Sequence, residues 1–146
     1  MEKLEDVLNY WDNDSKIDQT QISNEIINIP KLHAKYLRIL NDNKLSLLKT
    51  KISFDKLKNL KTEYYLGHLD YDTLKKYNWE QFDLKIGNKS NIERYLNADE
   101  DLCKLQQKKN YYDIIISTCE QILQELKNRS FQLKSYIDYE KFISGN

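Results

Sequence analysis

Between Asn97 and about Ile143 the chain carries a heptad that never slips. Positions 102, 105, 109, 112, 116, 119, 123, 126, 130, 133, 137 and 140 step by three and four, and nine of the twelve are apolar. A pattern of that length predicts one helix roughly 70 Å long at about 1.5 Å per residue. Such a helix does not fit inside a small globule alone, and a strict seven-residue repeat calls for a partner helix. A second stripe, Ile115, Ile122, Tyr136 and Ile143, runs beside the seam. The wider apolar face favours a bundle or ring of several helices over a two-stranded coil. Leu102, Leu105, Tyr112, Ile115, Ile116, Cys119, Ile122, Leu123, Leu126, Leu133 and Ile137 are accordingly expected to hold copies of the chain together. Asn97 is the expected cap of this helix and Glu100 closes a capping box. Asp99 and Asp101 lie at the positive end of the dipole.

The rest of the chain is also helical in character. Across 146 residues there are 3 Gly, 1 Pro and a single Val, Val7, which leaves little of the punctuation and β-branching of a sheet protein. Leu4, Leu8 and Trp11 mark a first helix from Lys3 to about Trp11. A second, capped by Asp18 or Thr20, keeps one face apolar from Ile22 to Tyr65 and ends at Gly67. Pro30 predicts a kink there, or two helices meeting near Ile29, and Asn41-Asp42-Asn43 is a second weak point. Residues 68–89 read as an aromatic loop with a helical turn over Leu74 to Phe82, and a short helix over Ile92 to Leu96 follows. The expected architecture is all-α: a kinked helical N-terminal part (1–67), the loop and short helix (68–96), and a long C-terminal helix (97–146) building a multi-helix oligomeric barrel.

Most catalytic chemistry finds no foothold. There is no Gly-rich phosphate loop, nucleophile elbow or paired-His metal motif, so no catalytic residue, metal or cofactor is expected. His33 and His68 stand alone, and Cys103 and Cys119 read as free thiols in a reducing compartment. A nuclease using Asp70, Asp72 and Glu80 is the enzymatic rival. With no signal peptide and no membrane-spanning apolar run, a cytoplasmic protein with no membrane partner is expected.

The formal net charge is zero, but its distribution is uneven. Residues 31–61 hold nine basic side chains against only Asp42 and Asp55, while the segments on either side are net acidic. A concentrated basic segment creates an oriented field, which bears on partners rather than on fold. Phe54, Lys58, Lys61 and Tyr65 fall at i, i+4, i+7 and i+11 and share a helix face. Lysines neutralise phosphates and aromatic rings accept bases of any sequence, the combination that single-stranded nucleic acid requires. The candidate contacts are Lys49, Lys51, Lys56, Lys58, Lys61 and Tyr65. Lysine far outnumbers arginine, which favours neutralisation of the backbone over reading of base edges. A helical scaffold that oligomerises through its heptads without nucleic acid is the alternative.

Three stretches carry a family resemblance. Leu57-Lys58-Asn59-Leu60-Lys61-Thr62-Glu63-Tyr64-Tyr65-Leu66-Gly67 is similar to a Lys-Ala-Arg-Leu motif followed by Asp-Tyr-Tyr. Leu96-Asn97-Ala98-Asp99-Glu100-Asp101-Leu102 is the second stretch. The third runs from Lys127-Asn128-Arg129-Ser130-Phe131 to Phe142-Ile143-Ser144-Gly145. In this order they resemble the UvsY family of phage recombination mediators, from Leu4 to Gly145. The motif's arginine falls on Lys61 and its lysine on Asn59, beside Lys58. The resemblance implies a non-enzymatic, phage-encoded protein of the host cytoplasm that binds single-stranded DNA as a ring of about six or seven subunits. It also implies that the protein helps a RecA-like recombinase of the UvsX type displace the single-strand-binding protein.

Overall fold

The computed structural model describes residues 2–82 and 89–145, and every regular element among them is a helix. In chain order these are α1 (Leu4–Asp14), α2 (Ile22–Tyr65), α3 (Tyr71–Tyr77), α4 (Lys89–Ala98) and α5 (Glu100–Ile143). The all-α expectation therefore holds, with two helices of 44 residues each. Residues 83–88 of the expected aromatic loop lie outside the described residues.

Of the two alternatives at Pro30, separate helices meeting near Ile29 are excluded, because the second helix runs through the proline; the Asn41–Asn43 segment also stays helical. There the buried Asn43 amide donates 2.8 Å to the Ile39 carbonyl one turn back, which turns a helix-breaking side chain into an internal one. The long C-terminal helix begins after Asp99 rather than at Asn97, and Asn97 belongs to α4. Asp99 is the better cap because its Oδ1 accepts the Leu102 N–H at 3.0 Å.

The ends of α2 and α3 follow one rule. At Gly67 (φ +75) the His68 N–H reaches the Glu63 carbonyl and the Gly67 N–H reaches that of Tyr64, both at 3.0 Å. This double closure needs a left-handed residue, which glycine supplies without steric penalty. Asn78 (φ 58) does the same for α3, with Trp79 N–H bonded to the Leu74 carbonyl at 2.9 Å. Asp70 caps the front of α3 by accepting the Thr73 N–H at 2.8 Å. This helix starts three residues earlier than the periodicity suggests, because the Asp70 cap outweighs the weak apolar pattern.

The chain divides into two compact units, residues 1–46 with 112–146, and residues 47–111. The long helices α2 and α5 each contribute to both units. The first unit has a core of Val7 from α1, Leu32, Tyr36, Ile39 and Leu40 from α2, and Ile115, Cys119, Ile122 and Leu126 from α5. The heptad seam thus finds partner helices within its own chain. The end of α1 is pinned by polar contacts. Tyr36 Oη and Lys35 Nζ each reach Asp14 Oδ2 at 2.7 Å, and Arg129 Nη2 donates 2.9 Å to the Asp14 carbonyl. That carbonyl is one that a helix end leaves unsatisfied. Burial pushes the Cys119 thiol up to about 11, with the charges of Glu120 and Glu2 adding to it, so this sulfur is inert packing.

Candidate nucleic-acid interface

In the second unit, α2 from Leu47 to Tyr65 lies antiparallel to the start of α5. Lys109 Nζ sits 4.2 Å from the Phe54 ring centre at one end, and Lys61 meets Asp99 at the other. Phe54, Lys61 and Tyr65 do share a face, and it is the face turned toward α4 and α5. Of the expected contacts on this face, Lys61 is therefore buried and Tyr65 half-buried against α4 and α5. Lys61 is only 5% exposed, and its ammonium lies 3.0 Å from Asp99 Oδ2 and 3.0 Å from Asp101 Oδ2. Tyr65 Oη donates 2.6 Å to the same Asp99 carboxylate. A lysine on an otherwise apolar face must find a buried partner, because an unpaired charge there is strongly disfavoured.

The remaining candidates separate by helix geometry. Lys51 and Lys58, seven apart, border the packed face; Lys51 is exposed and Lys58 half-buried. Lys49 and Lys56, also seven apart, lie roughly on the opposite side of α2, and both are exposed. The outward basic surface of this helix is therefore carried by Lys49 and Lys56, with Lys51 at the edge. Periodicity alone misses this division, because it groups residues by face without saying which face is covered.

Asp99 is the junction that sequence reading undervalues. Burial alone would raise its pKa. Hydrogen bonds from Tyr65 Oη, the Leu102 N–H and Lys61, together with the Lys61 charge, outweigh burial and hold it below its ordinary value. Burial and the Asp99 hydrogen bond push the Tyr65 phenol in the opposite direction, well above its usual range. The sign of the linkage follows from the depressed carboxyl. Its stabilising contribution is complete above its ordinary value of 3.8 and is lost as pH falls through the lower native value. Denaturant midpoints measured in acid should therefore fall less steeply for Asp99→Asn, which keeps a capping side chain but cannot titrate, than for the natural chain. Parallel acid limbs would refute this assignment.

Aromatic rings surround the clamp. Tyr65 stacks on Tyr95 at 5.5 Å and meets Phe82 edge-on at 5.0 Å. Tyr64 contacts Trp79 at 5.2 Å and donates its hydroxyl to the Glu80 carbonyl at 2.7 Å. The Lys61 ammonium stands 4.1 Å from the Trp79 ring centre. These contacts account for much of the aromatic content of the loop.

The eleven residues expected to join copies of the chain are all at least half-buried. Leu102, Ile115, Cys119, Ile122, Leu126 and Leu133 are buried, and Leu105, Tyr112, Ile116, Leu123 and Ile137 are half-buried. The apolar residues that α5 leaves open lie mainly near its end: Phe131, Tyr139, Phe142 and Ile143, with Phe142 82% exposed. In the first unit, Ile29, Pro30, Leu123 and Leu126 help line a groove of about 620 Å³. Of the acidic residues of the nuclease rival, Asp70 is used as the cap of α3. Among the described residues, no three His, Cys, Asp or Glu converge as a metal site, and no helix is long and apolar enough to cross a membrane.

Comparison with known proteins agrees with this architecture. Residues 10–146 match the family described as recombination, repair and single-stranded DNA binding protein UvsY. The recombination protein UvsY of Enterobacteria phage T4 is 27% identical over 143 residues, 98% of each chain. A crystal structure of the phage T4 recombination mediator protein UvsY superposes with a TM-score of 0.86 at 26% identity, covering 99% of both chains. The same protein in another lattice gives 0.83 at 26% identity, over 94% of this chain and 98% of that one. With its helices in the same arrangement and the match spanning almost the whole sequence, the chain belongs to the UvsY family of recombination, repair and single-stranded DNA binding proteins.

Proposed function

We propose that this chain is a recombination mediator. It binds single-stranded DNA as a homo-oligomer and helps load a RecA-like recombinase of the UvsX type onto DNA covered by single-strand-binding protein. The observation that carries this reading is the family match over residues 10–146, in a chain whose α2 exposes Lys49, Lys51 and Lys56 within two turns of helix. Lys49, Lys51, Lys56 and Lys58 neutralise phosphates, while Lys61 and Tyr65 act indirectly by holding α2 against α4 and α5. The protein acts without catalysis or cofactor, as a phage-encoded component of the host cytoplasm, and ATP hydrolysis belongs to the recombinase.

Self-association supplies the affinity that a few lysines cannot. The exposed apolar end of α5 is the surface that supports it, and repeated basic segments then engage one strand with effectively intramolecular later contacts. A ring of about six or seven subunits is consistent with this scheme. Loading follows only if the oligomer favours one arrangement of DNA over another, since equal affinity for both would shift nothing. Light scattering with and without an oligonucleotide, combined with a salt titration of binding, tests the proposal. The expected result is a multiple of the chain mass and a log-affinity that falls linearly with log salt. An oligomer that ignores the strand at low salt would leave the scaffold reading in its place, and a monomer that ignores it would overturn both.

A further inference from the structure

The second unit carries a cleft beside Lys56 whose aromatic wall the phosphate contacts leave unused. Tyr77, the last residue of α3, is 40% exposed, and its ring stacks on Trp79 at 4.8 Å and 22°. Trp79 is itself held by Tyr64 and faced by the Lys61 ammonium, and its backbone N–H closes the turn at Asn78. The Tyr77 ring therefore rests on a support that is ordered before any ligand arrives. Tyr77 also forms one wall of an open cleft of about 470 Å³. Ser53, Lys56, Leu57 and Leu60 of α2 form the rest. The lining provides one flat ring, two aliphatic side chains, a hydroxyl and a cation, with no carboxylate. Lys75 and Lys76 on α3 are exposed nearby in the chain, and Lys76 Nζ is 5.4 Å from the Tyr77 ring centre. The acidic residues of these two stretches are Asp55 and Asp72, so both remain net basic.

A slot with an aromatic wall, an apolar floor and a basic rim fits a planar ring joined to an anion, which is the chemistry of a single nucleotide within a strand. We propose that this cleft seats one unstacked base of the bound single strand on the Tyr77 ring, while Lys56 holds the adjoining phosphate. The proposal rests on the single-stranded DNA reading above and adds a base-contacting residue to it. Lys49 lies one two-turn step from Lys56 on the same face, so the strand's backbone runs along α2 from the cleft.

The test compares an oligothymidylate with an abasic strand of equal length and charge, by fluorescence anisotropy at one salt concentration. The natural chain should prefer the oligothymidylate. Tyr77→Ala should weaken that strand about ten-fold while leaving the abasic strand unchanged, the effect expected when one stacked base is lost. Tyr77→Leu, which keeps apolar packing but has no π-face, should behave like the alanine variant. Tyr77→Phe should retain the preference, and Lys56→Gln should weaken both strands alike. If Tyr77→Leu binds as the natural chain does, or if Tyr77→Ala weakens both strands equally, the base seat is wrong while DNA binding stands. If the natural chain binds neither strand, both readings fall.

Discussion

Asp99→Ala should destabilise the second unit by roughly 3–5 kcal/mol, the range found when one partner of a buried ion pair is removed. This side chain, 4% exposed, performs three tasks at once. It caps α5 through the Leu102 N–H, accepts the Tyr65 hydroxyl, and pairs with Lys61. Loss of the cap alone accounts for about 1 kcal/mol. The larger part comes from leaving the buried Lys61 ammonium with Asp101, whose side chain is half exposed, as its remaining paired carboxylate. Urea unfolding gives the size of the effect, and amide exchange in α4 and the first turns of α5 locates it. The double variant Lys61→Met/Asp99→Asn removes both charges and keeps a capping side chain, so it should recover much of the loss. A shift below about 1 kcal/mol for Asp99→Ala would mean that the clamp contributes no more than an exposed ion pair.

The second large effect concerns DNA. Lys49→Glu/Lys56→Glu should weaken single-stranded DNA binding by about a hundred-fold near 50 mM salt, taking each lost charged contact as about 1.4 kcal/mol. The matched pair Lys51→Glu/Lys58→Glu should have a smaller effect, because Lys58 is half-buried beside the packed face. Replacing Lys49 and Lys56 by glutamine instead should flatten the salt dependence by about 1.4 in slope for each engaged subunit, since each phosphate neutralised on a single strand contributes about 0.7. If the two pairs prove equal, the outward face of α2 has no special role. If neither pair has an effect, the strand lies elsewhere. Because all four substitutions are at exposed or edge positions, helix content serves as a direct check that the fold is intact.

The basic segment puts lysine to two uses that composition does not distinguish. Lys61 and Lys56 both sit in the basic segment, five residues apart, and composition treats them as equals. One is a buried structural ion and the other an exposed surface charge. Phe54, Lys58, Lys61 and Tyr65 share a face by helical arithmetic, and that arithmetic holds. It was silent on whether α4 and α5 cover the face. The acidic cluster Asp99-Glu100-Asp101 was the available signal that a buried cation needed a partner.

The sequence by itself determined the all-helical class, the two long amphipathic elements, the glycine stop at Gly67 and the kinship with the UvsY family. Each depends on local chemistry or on residue order, namely periodicity, capping, left-handed backbone preference and motif succession. Tertiary structure alone decided who partners whom. The heptad of α5 has a seam that any apolar helix face could satisfy, and here α1 and α2 of the same chain satisfy its central part. That leaves Phe131, Tyr139, Phe142 and Ile143 as the open apolar end. Likewise only the fold placed Asp99 against Lys61 across 38 residues of chain, and Tyr77 beside Lys56 across 21. Hydrophobic burial is proportional to area and nearly indifferent to identity, so a sequence specifies which faces must be covered far better than it specifies what covers them.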